Sequence, residues 1–190
     1  MNQPELIKKL KDGDESAFKI LVETWQNMVY NTALGIVQNA EDAEDVAQEV
    51  FMEVYESVDS FKGQSKFSTW LYRITITKSI DHEKRKRRKK RFALIKNIFG
   101  DSQTENMHPP DFEHPGILFE NKEKATELFK ALKEIPDKQK VAFMLNKLEG
   151  LSYQEIAEIM DTTLYAVESL IGRAKANLRK QLQNFYQKNN

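Results

Sequence analysis

Residues 152–180, SYQEIAEIMDTTLYAVESLIGRAKANLRK, leave little choice of local fold. Ser152 and Glu155 have the spacing of a capping box, in which each side chain satisfies the other's free backbone amide and starts a helix. Ile156, Ala157 and Met160 then recur at helical spacing. Asp161-Thr162-Thr163 breaks the period as a turn, and Thr163 can cap a second helix. That helix carries Leu164, Val167, Ile171, Ala174, Leu178 and Leu182 on one stripe. Tyr165, Glu168, Ser169, Gly172, Arg173, Lys175, Arg179 and Lys180 fall outside it. Packing Ile156, Ala157 and Met160 against Val167, Ile171 and Ala174 gives a short helix, a tight turn and a longer helix with a basic end. The small Ala157 permits close approach. This is the layout of a helix-turn-helix.

In that motif the second helix offers its first residues to base edges in the major groove, while Lys and Arg further along meet phosphates. A helical packing module with a solvated basic face would show the same pattern and stands as the alternative. Two helices precede the motif. Ala125, Leu128, Phe129, Leu132 and Ile135 form one stripe, stopped by Pro136. Asp137 can cap the second, which bears Val141, Met144, Leu145 and Leu148 and is closed by Gly150.

The first half is helical by the same reading. Residues 4–10 make a short helix with Gly13 beyond it, and Asp14 can cap the next. There Phe18, Leu21, Val22, Trp25, Met28, Val29, Thr32, Ala33 and Ile36 repeat at three and four. A third helix, 42–58, carries Ala43, Val46, Ala47, Val50, Phe51, Val54, Tyr55 and Val58 on one face and acids on the other. Residues 61–66 form a loop. A fourth helix opens near Phe67 or Ser68, turns Trp70, Leu71, Ile74 and Ile80 inward, and ends in KRKRRKKR, 84–91. Gly100, Pro109, Pro110, Pro115 and Gly116 mark a linker over 92–118. The expected fold is all-α, two small helical domains (1–91 and 119–190) joined by a flexible linker, the second domain a helix-turn-helix.

Formal net charge is zero, but the charges are segregated. Residues 41–59 hold eight acids and no Lys or Arg, whereas 78–96 hold ten bases against Asp81 and Glu83. Asymmetry of this kind points to two different partners, one of them nucleic acid. The basic run is either a sequence-blind phosphate clamp or a solvated helix end. The acidic face is either a docking surface or a solvated one.

There is no cysteine, hence no disulfide framework and no thiolate zinc cluster. No apolar run has the length of a membrane span and no cleavable signal stands near Met1, so the chain is read as cytoplasmic, without membrane contact of its own. His108 and His114 lie with Asp111 and Glu113 in the linker, where nothing periodic holds them, so no metal is expected. No Walker-type loop or nucleophile–base pairing is present, and neither a cofactor nor enzyme chemistry is expected.

Three blocks resemble a known family. IPDKQK at 135–140, GLSYQEIA at 150–157 and Arg173-Ala174-Lys175 resemble the promoter-reading domain of bacterial RNA polymerase sigma factors, closest to the extracytoplasmic-function (ECF) group. DAEDVAQEVF at 42–51 resembles the family's polymerase-binding helix, and FKG at 61–63 with FSTWLYRI at 67–74 its melting segment. The chain departs from common family residues at Thr77, Glu168, Leu170 and Gly172.

The resemblance implies a factor that binds core RNA polymerase, selects promoters, assists melting and answers to an anti-sigma protein. It implies polymerase contacts at Asp42, Asp45, Gln48, Glu49, Met52 and Glu53. Contacts to the minus-ten element and the melted strand fall to Phe61, Lys62, Gly63, Gln64, Lys66, Tyr72, Arg73, Thr77, Lys78, Lys84, Arg85 and Arg88. Those to the minus-thirty-five element fall to Ser152, Thr163, Tyr165, Ala166, Ser169, Arg173, Lys175 and Arg179. Aromatic side chains suit melting because a lost base stack is replaced for about 1–3 kcal/mol per base. Trp70 and Leu71 are expected mostly in the core. The sequence leaves open whether the two domains close on each other in the free protein; such closure would hide their DNA-binding faces. Two rivals remain: an ordinary helix-turn-helix regulator, and a helical adaptor that binds no DNA.

Overall fold

The apolar stripes become helices, each begun by the residue its sequence offers. In the computed structural model, which describes residues 2–98 and 122–188, Asn2 caps α1 (Gln3–Lys11) by accepting from the Glu5 amide at 2.9 Å. Asp14 caps α2 (Glu15–Val37) through the Ser16 and Ala17 amides. Asn39 caps α3 (Ala40–Ser57), which runs into one 3₁₀ turn at Val58–Ser60. After the 61–66 loop comes α4 (Phe67–Ile98). It continues past the basic run, where the sequence reading ends it. Lys and Arg are good helix formers, and no Gly or Pro interrupts this stretch.

Helices α2, α3 and α4 pack on one another, and α1 lies against α2 and the 3₁₀ turn, burying Leu6 and Leu10. Leu21, Val29, Ala33, Val46, Val50, Val54 and Leu71 are wholly buried in this first core. Each such Val or Leu contributes about 1.5–3 kcal/mol relative to exposure. Phe67 sits at its end, with ring centroids 5.4 Å from both Phe61 and Trp70 and 6.4 Å from Trp25. Contacts of this kind add about 0.5–1.5 kcal/mol each.

The second unit comprises α5 (Lys122–Lys133), α6 (Asp137–Lys147), α7 (Tyr153–Ile159) and α8 (Leu164–Lys188). Phe129, Leu132 and Ile135 meet Ala174 and Leu178, while Val141, Ala142 and Leu145 meet Ile156, Val167 and Ile171. The Ser152–Glu155 capping box is formed, and Thr163 Oγ1 accepts from the Ala166 amide at 3.1 Å. Asp137 does not cap α6. Pro136 occupies that place, and Asp137 is the first helical residue, its carboxylate turned to Arg87 and Lys140.

The two units are in contact. The second core continues into Ile36 of α2 and Tyr72 of α4, with Ile76 and Ile80 packed beside them. Four side chains depart from their expected burial. Tyr55 and Leu164 have the spacing of their stripes but are exposed, each at the edge of its helix's buried arc. Phe61 and Tyr72, expected at the surface, are buried, because an aromatic cluster and the second unit cover them. Of the linker, 92–98 belong to α4, and 99–118 lie outside the described residues, as do His108, Asp111, Glu113 and His114.

Candidate functional site

Helix α3 presents its acids on two sides. Asp42, Glu49 and Glu53 lie along α4 and are paired with it. Glu53 takes Lys78 at 2.9 Å, Glu49 takes Arg85 at 2.9 Å, and Asp42 takes His82 at 3.1 Å as well as Lys86. Asp45, Gln48 and Met52 form the outer side, all exposed, with Met52 at 62%. Glu41, Glu44, Tyr55 and Glu56 extend that stripe. Of the six expected docking residues, three therefore face outward and three bind α4.

The loop after α3 keeps Lys62, Gly63, Gln64 and Lys66 exposed. Gly63 has φ +70°, a conformation that side-chain-bearing residues rarely adopt, so the tight turn requires it. Phe61 points into the core beside Phe67 and Trp70. Lys66 approaches Glu155 of the second unit at 3.8 Å. Further along α4, Thr77 is exposed and donates its hydroxyl hydrogen to the Arg73 carbonyl, while Lys84, Arg85 and Arg88 stand on the exposed basic end. Lys84 lies 3.3 Å from Asp81.

Tyr72 and Arg73 occupy the seam between the units. The Tyr72 hydroxyl donates to Glu149 Oε2 at 3.3 Å. Arg73 donates from Nε to the Ile159 carbonyl at 3.2 Å and from Nη2 to the Glu158 carbonyl. A guanidinium thus rests on the last carbonyls of α7, the negative end of that helix. Burial pushes the Tyr72 hydroxyl well above the usual tyrosine range, with the Glu149 carboxylate adding to the effect. Burial also raises the Glu149 carboxyl, against the hydrogen bond from Tyr72 that lowers it.

On the helix-turn-helix the expected residues gather on one face. Ser152 opens α7, and its backbone amide and hydroxyl hold the Glu155 carboxyl below the usual glutamate range. Thr163 caps α8, and Tyr165 is 79% exposed just after it. Ala166 and Ser169 are half-buried, and Arg173, Lys175 and Arg179 are exposed. Ser169 Oγ accepts from Arg173 Nη2 at 2.8 Å, one turn along the same face. Nothing among the described side chains blocks this face.

Sequence reasoning did not single out Glu149, Lys140, Arg87 or His82. Lys140 is buried, and desolvation lowers it against the pull of Asp137 and Glu83. Arg87 bridges Glu83 (3.7 Å) and Asp137 (3.6 Å) across the seam. Each is significant only through a partner on another helix, and no local pattern marks it.

The chain matches the pattern of Sigma-70 region 2 over residues 21–89 and of Sigma-70, region 4 over residues 125–178. It is similar to the ECF RNA polymerase sigma-E factor of Haemophilus influenzae, 34% identical over 94% of both chains. It is likewise similar to the ECF RNA polymerase sigma factor SigW of Bacillus subtilis, 33% identical over 94% of this chain and 95% of that one. In fold it resembles CnrH, solved in complex with the cytosolic domain of CnrY, with a TM-score of 0.64 at 23% identity over 94% and 96% of the two chains. A second solved fold, the sigma factor RpoE with the anti-sigma factor NepR from Bartonella quintana, aligns with a TM-score of 0.59 at 21% identity over 87% and 96%.

Proposed function

The chain belongs to the sigma-70 family, in its extracytoplasmic-function group, and from that premise we propose how its two helical units divide the work. As a sigma factor it binds core RNA polymerase and directs it to specific promoters in transcription initiation. Residues 1–91 dock on polymerase, read the minus-ten element and assist melting. Residues 119–190 read the minus-thirty-five element, and 92–118 connect them.

The observation that carries this division is the contrast between two faces. The outer stripe of α3, with Asp45, Gln48 and Met52, has the mixed acidic and apolar character that suits a basic helical surface. Electrostatic match there sets register and encounter rate. The outer face of α8, with Tyr165, Ser169 and Arg173 near its start and Lys175 and Arg179 beyond, has the order of base readers followed by phosphate contacts. Asp42, Glu49 and Glu53 serve polymerase docking only after exchanging the cations they hold on α4. Lys62, Gly63, Gln64 and Lys66 meet the melted strand directly, whereas Tyr72 and Arg73 do so once the units part.

The factor carries no bond chemistry of its own, works in the cytoplasm, and is held in check by an anti-sigma protein. An anti-sigma factor named as the partner of one fold relative supports the last point. Among the described residues no helix is long and apolar enough to cross a membrane.

The test is run-off transcription with purified core RNA polymerase on a pool of genomic promoters, with and without the protein. New start sites that share two spaced motifs are expected. Core binding without new starts would favour an adaptor, and absence of core binding would favour an ordinary duplex-binding regulator.

A further inference from the structure

The seam holds a carboxyl that promoter recognition does not require. Glu149 follows Leu148, the C-cap of α6, and lies against α2 and α4 of the first unit. Its Oε2 accepts from the Tyr72 hydroxyl of α4, and Thr32 of α2 lines the same cavity with its hydroxyl turned to Met28 Sδ at 3.9 Å. Around these polar atoms, Ile36, Ile76, Val141, Met144, Leu145 and Leu148 enclose a small apolar cavity. No ion pair to Glu149 occurs among the described residues, so its charge has no counterion at this site.

We propose that Glu149 and Tyr72 form a proton-operated latch: the protonated carboxyl holds the two units together and the ionised carboxylate releases them. Hydroxyls serve either form, since each can donate to a carboxylate or accept from a carboxyl. The apolar lining does not serve both, because a half-buried, unpaired carboxylate there loses part of its hydration.

The sign follows from the burial-raised carboxyl. The closed form binds the proton more tightly than the open form, where Glu149 returns toward its ordinary value of 4.5. Closure is therefore fully favoured below that value and is lost as pH rises through the raised one. The other charged groups do not reverse this. From α4, Tyr72 is pushed up and stays a neutral donor, and Arg73 is held by the Glu158 and Ile159 carbonyls. From α7, Glu155 is held ionised by Ser152 and faces Lys66. Helix α2 presents Thr32, which does not titrate. Lys140, buried elsewhere on α6 beside Asp137, Glu83 and Arg87, is lowered by burial and has the opposite sign, which Glu149→Gln leaves in place and so separates from the latch.

Closure has a consequence that rests on the proposed function. In the closed form Arg73 is bound to helix-end carbonyls and Tyr72 is covered, so neither reaches a nucleic acid. Acidification would then withhold the free factor from promoters, and a rise in pH would release it.

The chain lacks cysteine, so Asn27→Cys in α2 and Ala176→Cys in α8, both exposed, give two clean labelling sites. Energy transfer between fluorophores there, in the free full-length chain, reads the distance between units from about pH 5 to about pH 8. One proton changes the open-to-closed ratio by up to about ten-fold per pH unit inside its window. The parent chain is expected to lengthen as pH rises, whereas Glu149→Gln, which keeps the shape and cannot ionise, stays short throughout. Tyr72→Phe removes the hydrogen bond that favours the charged form, so it moves the transition to higher pH. A distance independent of pH in the parent overturns the latch, and so does an unchanged pH response in Glu149→Gln. Should far-UV circular dichroism find Glu149→Gln unfolded, Tyr72→Phe decides, and an unmoved transition there overturns it. Failed transcription would sink the sigma reading and leave these distances untouched, so the two failures are told apart.

Discussion

The two units use the same residue types in opposite ways. In the first, the charged side chains of interest already have partners: Glu53 holds Lys78, Glu49 holds Arg85, and Asp42 holds His82 and Lys86. In the second, main-chain caps build the motif, through Ser152 with Glu155 and through Thr163, and the side chains on the outer face of α8 are left to solvent. Charge segregated along the sequence thus becomes charge paired in space, because the acidic and basic helices lie side by side. Substitutions in the first unit should therefore register as stability, and those on the α8 face as binding.

The sharpest way to break that contrast is at Phe67, which is wholly buried among Trp25, Phe61 and Trp70. Phe67→Ala is expected to destabilise the protein by about 3–5 kcal/mol, through weaker packing and the cavity left behind, read by denaturant unfolding. A loss below about 1 kcal/mol would mean that the aromatic cluster is not the keystone of its unit. On the other side, Tyr165→Ala or Arg173→Ala should leave stability within about 0.5 kcal/mol. Each should weaken holoenzyme binding to the cognate promoter by about 1–3 kcal/mol and relax preference at one base position. A uniform loss across all promoters would reassign the residue to phosphate.

Next in size, Lys84→Gln with Arg88→Gln should lower promoter affinity for every sequence alike. The salt dependence should flatten by about one unit of log–log slope for each phosphate no longer neutralised. Lys84 and Arg88 test this well, since neither is paired with α3. An unchanged slope would identify the basic end of α4 as solvated surface.

The same contrast explains what could be read without coordinates. Helix positions, apart from the far end of α4, with the Asp14 cap, the capping box at Ser152 and the turn at Thr163, follow from local spacing, and the structure has them. The exposed face of α8 was legible too, except that Leu164 sits outside the buried arc. Seam residues were not legible. Tyr72 and Arg73 read as surface groups on one amphipathic helix, and only the second unit against α4 gives them Glu149 and the α7 carbonyls as partners. The division of α3 into a paired and an outer side was hidden for the same reason. An acidic face gives no sign of which edge a neighbouring basic helix will take. Asp137 has the residue type of a cap, yet Pro136 takes the cap position and leaves the carboxylate to Arg87 and Lys140.

Within the second unit, Ser152→Ala removes one half of the capping box and should cost about 1 kcal/mol of stability. A pH titration sharpens the point. The Ser152 amide and hydroxyl depress the Glu155 carboxyl, so its contribution is present above the ordinary value of 4.5 and is lost as pH falls through the lowered one. In Ser152→Ala that acid-limb loss should be smaller. Equal acid sensitivity in parent and variant would show that the cap does not hold the carboxylate.

The smallest effect is the most discriminating for the first unit. Glu49 and Arg85 meet at 2.9 Å, with side chains 36% and 47% exposed. A double-mutant cycle with Glu49→Gln and Arg85→Gln should give a coupling of about 0.2–1 kcal/mol, because water and salt screen a pair this open. The coupling should fall as salt is raised, since the Debye length shortens from about 10 Å at 0.1 M to about 3 Å at 1 M. Bound to core polymerase, the same cycle measured on complex stability separates two pictures of α3. If Glu49 leaves Arg85 for a basic partner surface, the coupling vanishes in the complex and Arg85 is freed for DNA. If the pair persists, docking uses only the outer stripe of Asp45, Gln48 and Met52, and the α3–α4 pairs serve to brace the helix that carries it.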